Sequence, residues 1–303
     1  MRVIITGGTG QIGRRLAPVL LKAGHEVIVL SRDPSKHEGR LPPAVRLHPW
    51  DGRSATGWHD LIEADTAIIN LAGENPAASL WTQNHKRRVL QSRLDAASAV
   101  VQAVQQAKAR PKVLLQASAV GYYGEGGGAE LTEFSPCGFD WRAEVCRRWE
   151  AAVGPVSAMG VRVCTLRIGI VLDAEGGALP TLRLAAQLGV RHLGDGRQWI
   201  PWIHHEDMSY STLALLTAQM AYGPLNIVGL EPATNAELMT LLRQHLGRPA
   251  TLPVPRWAMR LVVGELADAV LFSQRVRPSM LAMDVGYEWR FPKLADAVRD
   301  LLR

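Results

Sequence analysis

Three glycines, Gly7, Gly10 and Gly13, punctuate the stretch Val3-Ile4-Ile5-Thr6-Gly7-Gly8-Thr9-Gly10-Gln11-Ile12-Gly13, directly behind four β-forming residues. Glycines at this spacing suit the binding of a pyrophosphate. Gly7 allows a tight turn, Gly10 lets the backbone approach a phosphate with no Cβ in the way, and Gly13 lets the next helix pack close to the strand. Thr9, Gln11 and Ile12 fill the positions between, where the unpaired N–H groups and partial positive charge of a helix N-terminus face an anion. The expected chemistry is recognition of a dinucleotide.

A second group of residues bears on which dinucleotide. Ser31-Arg32 follows the next β-forming run, where a NAD-binding fold usually carries an acid for the ribose 2′-hydroxyl. A cation there, with Arg14 in the first helical turn as another, fits the 2′-phosphate of NADP instead. Arg32 could equally be a surface arginine at a strand end, and the adjacent Asp33 leaves some use of NAD open.

The elements that must position these residues alternate along the chain. Strands are expected at the N-terminus, at Glu26 to Leu30, Ala67 to Asn70, Val113 to Ala117 and Val161 to Leu166. Between them come helical stretches at Ile12 to Lys22, about Thr82 to Lys108 and Phe139 to Val153. This alternation predicts an α/β fold, a Rossmann-like doubly wound parallel sheet with right-handed crossovers. After Gly169 the pattern loosens up to Trp202. A helix from Glu206 to Ala221, with Asp207 as its N-cap, and a strand from Leu225 to Val228 then return to the sheet. Thr234 with Glu237 forms a capping-box pattern, and Gly247 closes that helix. The expected division is a dinucleotide-binding domain over residues 1–170, rejoined by 205–228, and a smaller, mostly helical C-terminal lobe from 171–204 and 229–303.

Composition narrows the function classes. At 303 residues, 47% hydrophobic and 20% charged, the chain has enough apolar material for one large core or two smaller ones. There is no uninterrupted apolar stretch of membrane-spanning length and no room before the first strand for a leader, so a cytoplasmic location is expected. Cys137, Cys146 and Cys164 lack metal-ligand spacing, which predicts neither disulfides nor a metal site. The net charge of +6 has one dense cluster, Lys86-Arg87-Arg88, read as a solvated helix face rather than a nucleic-acid surface. A small-molecule substrate and a monomer or homodimer are expected, without nucleic-acid or membrane partners.

With Asn70-Leu71-Ala72-Gly73-Glu74 and Ala117-Ser118-Ala119-Val120-Gly121-Tyr122-Tyr123-Gly124 added, the full length of the chain resembles the extended short-chain dehydrogenase/reductases. It is most similar to their atypical epimerase-family subgroup of NADP-dependent oxidoreductases, which ends in a small domain of unknown function. Trp81-Thr82, Ser92-Arg93-Leu94, Val145-Cys146, Trp149-Glu150, Arg167 to Leu172, Trp202-Ile203-His204, Leu252 to Pro255 and Gly264-Glu265-Leu266 carry the narrower likeness. The resemblance implies that Leu71, Ala72 and Gly73 pass beside the nicotinamide half of NADP, with Ala117 and Ser118 beneath it. It further implies that Arg167, Gly169 and Ile170 line the floor, and that Asp51 either bonds the adenine amine or merely shapes a turn before Gly52.

The family's Tyr-x-x-x-Lys pair, in which the lysine favours the tyrosinate that relays the substrate proton, is missing. Aligned on Glu150, its slots hold Arg142 and Cys146. Replacement catalytic groups are sought in Glu74, Ser118, Tyr122 and Tyr123. Glu74 and Arg93 are also counted among the cofactor-binding residues, with Arg93 expected to hold the Glu74 carboxylate; His204 reads as structural, and Trp199 and Trp202 are either pocket wall or core. The expected activity is NADP(H)-dependent hydride transfer to or from a small carbonyl or enone. A nucleotide-sugar epimerase or dehydratase and a non-catalytic NADP(H) sensor are the alternatives.

Overall fold

The computed structural model describes residues 1–303. Seven parallel strands form its central sheet. The first, β1 (Arg2–Thr6), turns through the glycine stretch into α1 (Gln11–Lys22), and β2 (Glu26–Ser31) and β3 (Arg46–Pro49) extend the sheet to one side. The chain then crosses β1 to β4 (Thr66–Asn70), runs through the long α2 (Gln83–Gln106), and adds β5 (Val113–Ala119). A short β6 (Glu130–Leu131), α3 (Trp141–Ala151) and α4 (Gly154–Ala158) lead to β7 (Arg162–Ile168).

The chain next leaves the sheet through β8 (Ile170–Asp173), β9 (Gly176–Gly177), α5 (Leu179–Gln187), β10 (Trp199–Ile200) and β11 (Trp202–His204). It returns through α6 (His205–Thr217) to β12 (Gly223–Ile227), which pairs with β7 in parallel. The sheet order β12-β7-β5-β4-β1-β2-β3 reverses direction between β1 and β4. In doubly wound folds a ligand crevice opens at such a point, outside the carboxyl ends of the strands.

The remaining chain is helical: after β13 (Ala233–Thr234) come α7 (Asn235–His245), α8 (Arg256–Val263) and α9 (Asp268–Leu271). Strand β14 (Arg275–Val276) pairs with β6, and α10 (Ser279–Met283) and α11 (Leu294–Leu301) follow. Thr234 and Glu237 form the reciprocal capping box at the start of α7. A second core, containing Leu172, Leu182, Trp202, Met239 and Val298, lies under these helices, apart from the main core around Ile4, Ile28, Ile68 and Leu114. The division between them is not clean, because Leu281 of α10 sits in the main core and Tyr287 and Trp289 pack against it.

Two expectations near α6 need correction. Its N-cap is His204, whose Nδ1 accepts the Glu206 N–H at 3.1 Å, not Asp207. Asp207 is fully buried and accepts from Arg290 N, Phe291 N and the Tyr287 hydroxyl, tying α6 to the C-terminal tail. Trp202 is core, with its indole N–H donated to Glu231 O, while Trp199 is half-buried beside Arg275. No helix is long and apolar enough to cross a membrane.

Candidate functional site

The β1–α1 turn is shaped by close approach. Gly7 has φ +66°, and a Cβ there would lie 2.8 Å from the main chain of Leu71 and Ala72. Only glycine satisfies both demands. At Gly13 a Cβ would meet Gly8 Cα at 2.3 Å, so this glycine packs the helix onto the turn itself rather than onto the strand. Gly10 is exposed and is the N-cap of α1, with no side-chain cap and no acid in the first turn. The first N–H groups of the helix are therefore left for an anion. Thr9 and Ile12 flank the turn half-buried, and Gln11 packs on Gly176 and Gly177 with its Nε2 buried and without a partner.

At the β2 end, Ser31 is buried and its Oγ accepts the Asp33 N–H at 3.3 Å. Asp33 is turned away from β2: its carboxylate accepts from Ser35 Oγ and Lys36 N, bonds that lower its pKa. Arg32 is exposed, extends over Gly52 and has no acidic partner; Arg14 likewise has none. Asp51 caps a turn, accepting from Arg53 N, Ser54 N and Ser54 Oγ, which depress its pKa.

Across the crevice floor runs a buried polar ladder that sequence reading missed. Thr6 Oγ1 donates to Asn70 Oδ1, Asn70 Nδ2 to Gln116 Oε1 at 2.8 Å, and Gln116 Nε2 to Ala117 O at 2.9 Å. Strand register sets it, since Thr6 pairs Asn70 and Asn70 pairs Gln116 on adjacent strands. The signal was present as polar residues ending apolar strands. The ladder fixes the start of the loop Leu71 to Gly73, whose Ala72 N–H reaches Thr6 Oγ1 at 3.3 Å.

The reactive end departs from several expectations. Ser118 is buried and donates to Glu150 Oε1 at 2.6 Å, which commits its hydroxyl proton to a structural bond. Glu150 is held by Arg167 through a two-point pair, Nε to Oε1 and Nη2 to Oε2, each 3.0 Å. Arg167 is buried rather than lining the floor, and its remaining nitrogen reaches the Tyr123 hydroxyl and Glu133 O. Burial opposes its charge, but the Glu150 bonds outweigh that and raise its pKa.

Tyr123 is buried too, donating to Asn226 Oδ1 at 2.7 Å, and burial pushes its hydroxyl up to about 12 despite Arg167. Such a group does not relay protons near neutrality. Tyr122 is half-exposed, its ring 3.5 Å beneath the Arg167 guanidinium, and its hydroxyl has no protein partner. Gly169 is dictated by packing, a Cβ there falling 2.2 Å from Pro201 O, and Ile170 donates its N–H to the same carbonyl.

Glu74 is not held by Arg93 through its carboxylate. Its Oε1 accepts from Arg88 Nε at 3.0 Å and lies 3.2 Å from His85 Nδ1, on the first turns of α2. Arg93 Nη1 donates instead to the main-chain carbonyls of Glu74 and Val89, both at 2.9 Å. Its guanidinium stacks 4.7 Å from the Trp149 ring and lies against Gly73. In the vacant pair slots, Cys146 is buried, which pushes its thiol up to about 11. Arg142 turns toward the C-terminal segment, donating to Asp268 O at 3.2 Å and stacking on Phe272 at 4.0 Å.

His204 is fully buried between His205 and Phe291, and burial with the neighbouring His205 pushes its pKa down to about 3. It is a neutral cap. Lys86 is buried rather than solvated: it pairs with Glu265 and lies 5.4 Å from the Trp141 ring, joining α2 to the segment after α8. No group of His, Cys, Asp and Glu side chains is arranged to hold a metal ion.

A glycine turn with an uncapped helix at the switch point of a doubly wound sheet defines a nucleotide-binding α/β protein, and a family comparison is consistent with that geometry. Residues 3–227 match the NAD dependent epimerase/dehydratase family and residues 254–301 match a domain of unknown function. The chain belongs to that family. It is 36% identical to the chloroplastic epimerase family protein SDR39U1 homolog of Arabidopsis thaliana, over 100% of this chain and 87% of the relative. The human epimerase family protein SDR39U1, crystallised with NADPH, is 34% identical, with a TM-score of 0.86 over 100% of this chain and 99% of that one. A nucleoside-diphosphate sugar epimerase from Corynebacterium glutamicum is 30% identical at a TM-score of 0.79, over 100% of this chain and 58% of the other.

Proposed function

We propose that this chain is an NADP(H)-dependent oxidoreductase that passes a hydride between the cofactor and a small carbonyl or enone compound. The observation that carries the cofactor choice is at the β2 end, where Arg32 reaches over Gly52 without an acidic partner while Asp33 is engaged in its own turn. A guanidinium so placed suits a 2′-phosphate, and a carboxylate turned away leaves the 2′-hydroxyl of NAD without its usual acceptor. The NADPH bound to the human relative supports the same choice.

In this reading the α1 N–H groups and Gly10 hold the pyrophosphate, and Leu71 to Gly73 border the nicotinamide half. NADPH supplies the hydride when bound. The chain's own part is to orient the ring; with Ser118, Tyr123 and Arg167 committed to internal bonds, the proton is delivered by water or by the unpartnered hydroxyl of Tyr122. The absent Tyr–Lys pair weighs against transient oxidation of a nucleotide sugar.

The test is NADPH consumption, followed by nicotinamide absorbance, with a panel of small aldehydes, ketones and enones beside UDP-sugars. Oxidation by carbonyl or enone compounds is expected. Conversion of UDP-sugars alone, read by product analysis with NADP⁺ present because epimerisation leaves the cofactor unchanged, would replace this reading with epimerisation, and bound NADPH with no conversion of any of the panel would replace it with cofactor sensing.

A further inference from the structure

The C-terminal lobe carries an apolar face that nothing in the protein covers. Six of the thirteen large apolar side chains left exposed fall in two short stretches: Leu184 and Leu188 on or beside α5, and Leu252, Trp257, Leu261 and Val262 on or before α8. Main-chain hydrogen bonds lay the two stretches side by side, with Thr251 N on Gly189 O at 2.8 Å, Arg191 N on Leu252 O at 3.2 Å and Val254 N on His192 O at 3.0 Å. Trp257 is 71% exposed and Leu261 81%, and their four-residue spacing puts them on one side of α8. No residue of that helix is buried; Met259 packs on the lobe core, so α8 shows apolar side chains inward and outward alike. An exposed patch of this kind marks an interaction surface.

The charge around this face has one sign. Residues 176–194 and 238–264 contain no Asp or Glu, although the whole chain has 28 acids against 34 Lys and Arg. Five exposed arginines lie within these stretches, Arg183, Arg191, Arg248, Arg256 and Arg260, and only Arg260 has an acidic partner, Asp268 at 2.8 Å. Long basic side chains of this kind lay their methylenes on apolar surface and keep the charged head in a polar layer. Two copies of the chain docked through this face would set arginine against arginine, which opposes self-association. A protein partner is held by directional polar contacts as well as apolar ones. From Leu252 to Val263 only two arginines and the Trp257 indole offer side-chain hydrogen-bond donors, and no side chain there is a strong acceptor.

We propose that this face rests on the surface of an anionic lipid bilayer, with Trp257, Leu261 and Val262 entering the headgroup boundary and the arginines meeting lipid phosphates. A tryptophan and aliphatic side chains rimmed by arginine are what an interfacial helix presents, and each cation held near such a surface adds to the attraction. One short helix and a few leucines supply the apolar area, so the attachment is reversible. No helix of this chain is long and apolar enough to cross a membrane, and the expectation of no membrane partner rested on spanning length. Lying on the surface needs only the face. The proposal does not rest on the function proposed above.

The experiment is co-sedimentation of the full chain with vesicles of phosphatidylcholine alone and of an equimolar mixture of phosphatidylcholine and phosphatidylglycerol, at low and at high salt. Binding to the mixed vesicles is expected to exceed that to phosphatidylcholine about ten-fold or more and to fall as salt screens it. Arg256→Gln should weaken it about five-fold, and the double variant Trp257→Ser, Leu261→Ser should abolish it. These side chains are exposed, so the thermal midpoint should hold in both variants, which separates lost docking from lost fold. Met220→Ser with Tyr222→Ser removes comparably exposed apolar groups between α6 and β12 and should leave vesicle binding at the wild-type level. No sedimentation with the mixed vesicles, equal binding to both compositions, or binding that survives in the Trp257 and Leu261 variant overturns the proposal. A dimer in solution that the same variant separates would assign the face to a second copy and overturn it too. An acidic protein held by the wild type and lost in that variant, with no vesicle binding, would assign the face to a protein instead. If the double variant does not fold, Arg256→Gln and the comparison of lipids decide the matter.

Discussion

At Arg142 and Cys146, the two positions where the family usually keeps its proton relay, this chain has built structure. Arg142 ties α3 to Asp268 and Phe272, and Cys146 fills a buried space beside Gly121. Arg142→Leu should therefore lower stability by about 1–2 kcal/mol, the worth of one cation–π contact and one hydrogen bond. NADPH affinity should move less than two-fold; thermal unfolding and a fluorescence titration measure both. His204 allows a pH prediction. The unfolded histidine takes up a proton near its ordinary value of about 6.5, while the folded one resists until about 3. Its contribution is therefore complete above that ordinary value and is lost as pH falls toward 3, at up to about 1.4 kcal/mol per pH unit. His204→Asn keeps an α6 cap but removes the proton. Denaturant unfolding of the variant from neutral pH down to about pH 5 should show a shallower loss than wild type, with some slope remaining from His205, also depressed by burial.

At the scale of elements, the β1–α1 unit was the most legible part of the chain, because strand, turn and helix are local; the positive φ of Gly7 and the Gly13–Gly8 contact arise within it, and only the room Gly7 leaves for Leu71 and Ala72 depends on distant chain. Gly13→Ala tests this directly: with Gly8 Cα 2.3 Å from the new Cβ, helix and turn must separate. The expected cost is about 1–3 kcal/mol of overpacking, with NADPH affinity down ten-fold or more. Unchanged affinity would mean the turn does not hold the cofactor. The larger strands and helices were equally readable from period and punctuation. What escaped were assignments that depend on distant chain. Asp207 reads as a cap until Arg290 and Phe291, more than eighty residues on, take its carboxylate. Glu150 served only as an alignment mark, yet it organises Ser118 and Arg167. Arg93 was expected to hold the Glu74 side chain and holds its carbonyl instead, a choice fixed by how Arg88 and His85 compete for the carboxylate.

Over the whole molecule, two ties join the dinucleotide-binding part to the segment around α8 and α9: Lys86 with Glu265, and Arg142 with Asp268. The first is asymmetric, with Lys86 buried and Glu265 mostly exposed. Removing the exposed acid strands a buried cation, whereas replacing the lysine with an apolar chain of similar length does not. Glu265→Gln should thus destabilise the protein more than Lys86→Met, by about 1 kcal/mol in thermal or urea unfolding; the reverse order would contradict the burial argument. The account as a whole turns on the cofactor, and the most direct measurement is a pair of dissociation constants, for NADPH and NADH, on the wild-type chain and on Arg32→Ala. One charge-assisted bond is worth about 1.5–3 kcal/mol, so NADPH should bind roughly ten-fold or more tightly to the wild type and lose most of that advantage in the variant. Equal affinities for the two cofactors in the wild type, or no binding of either, would contradict it.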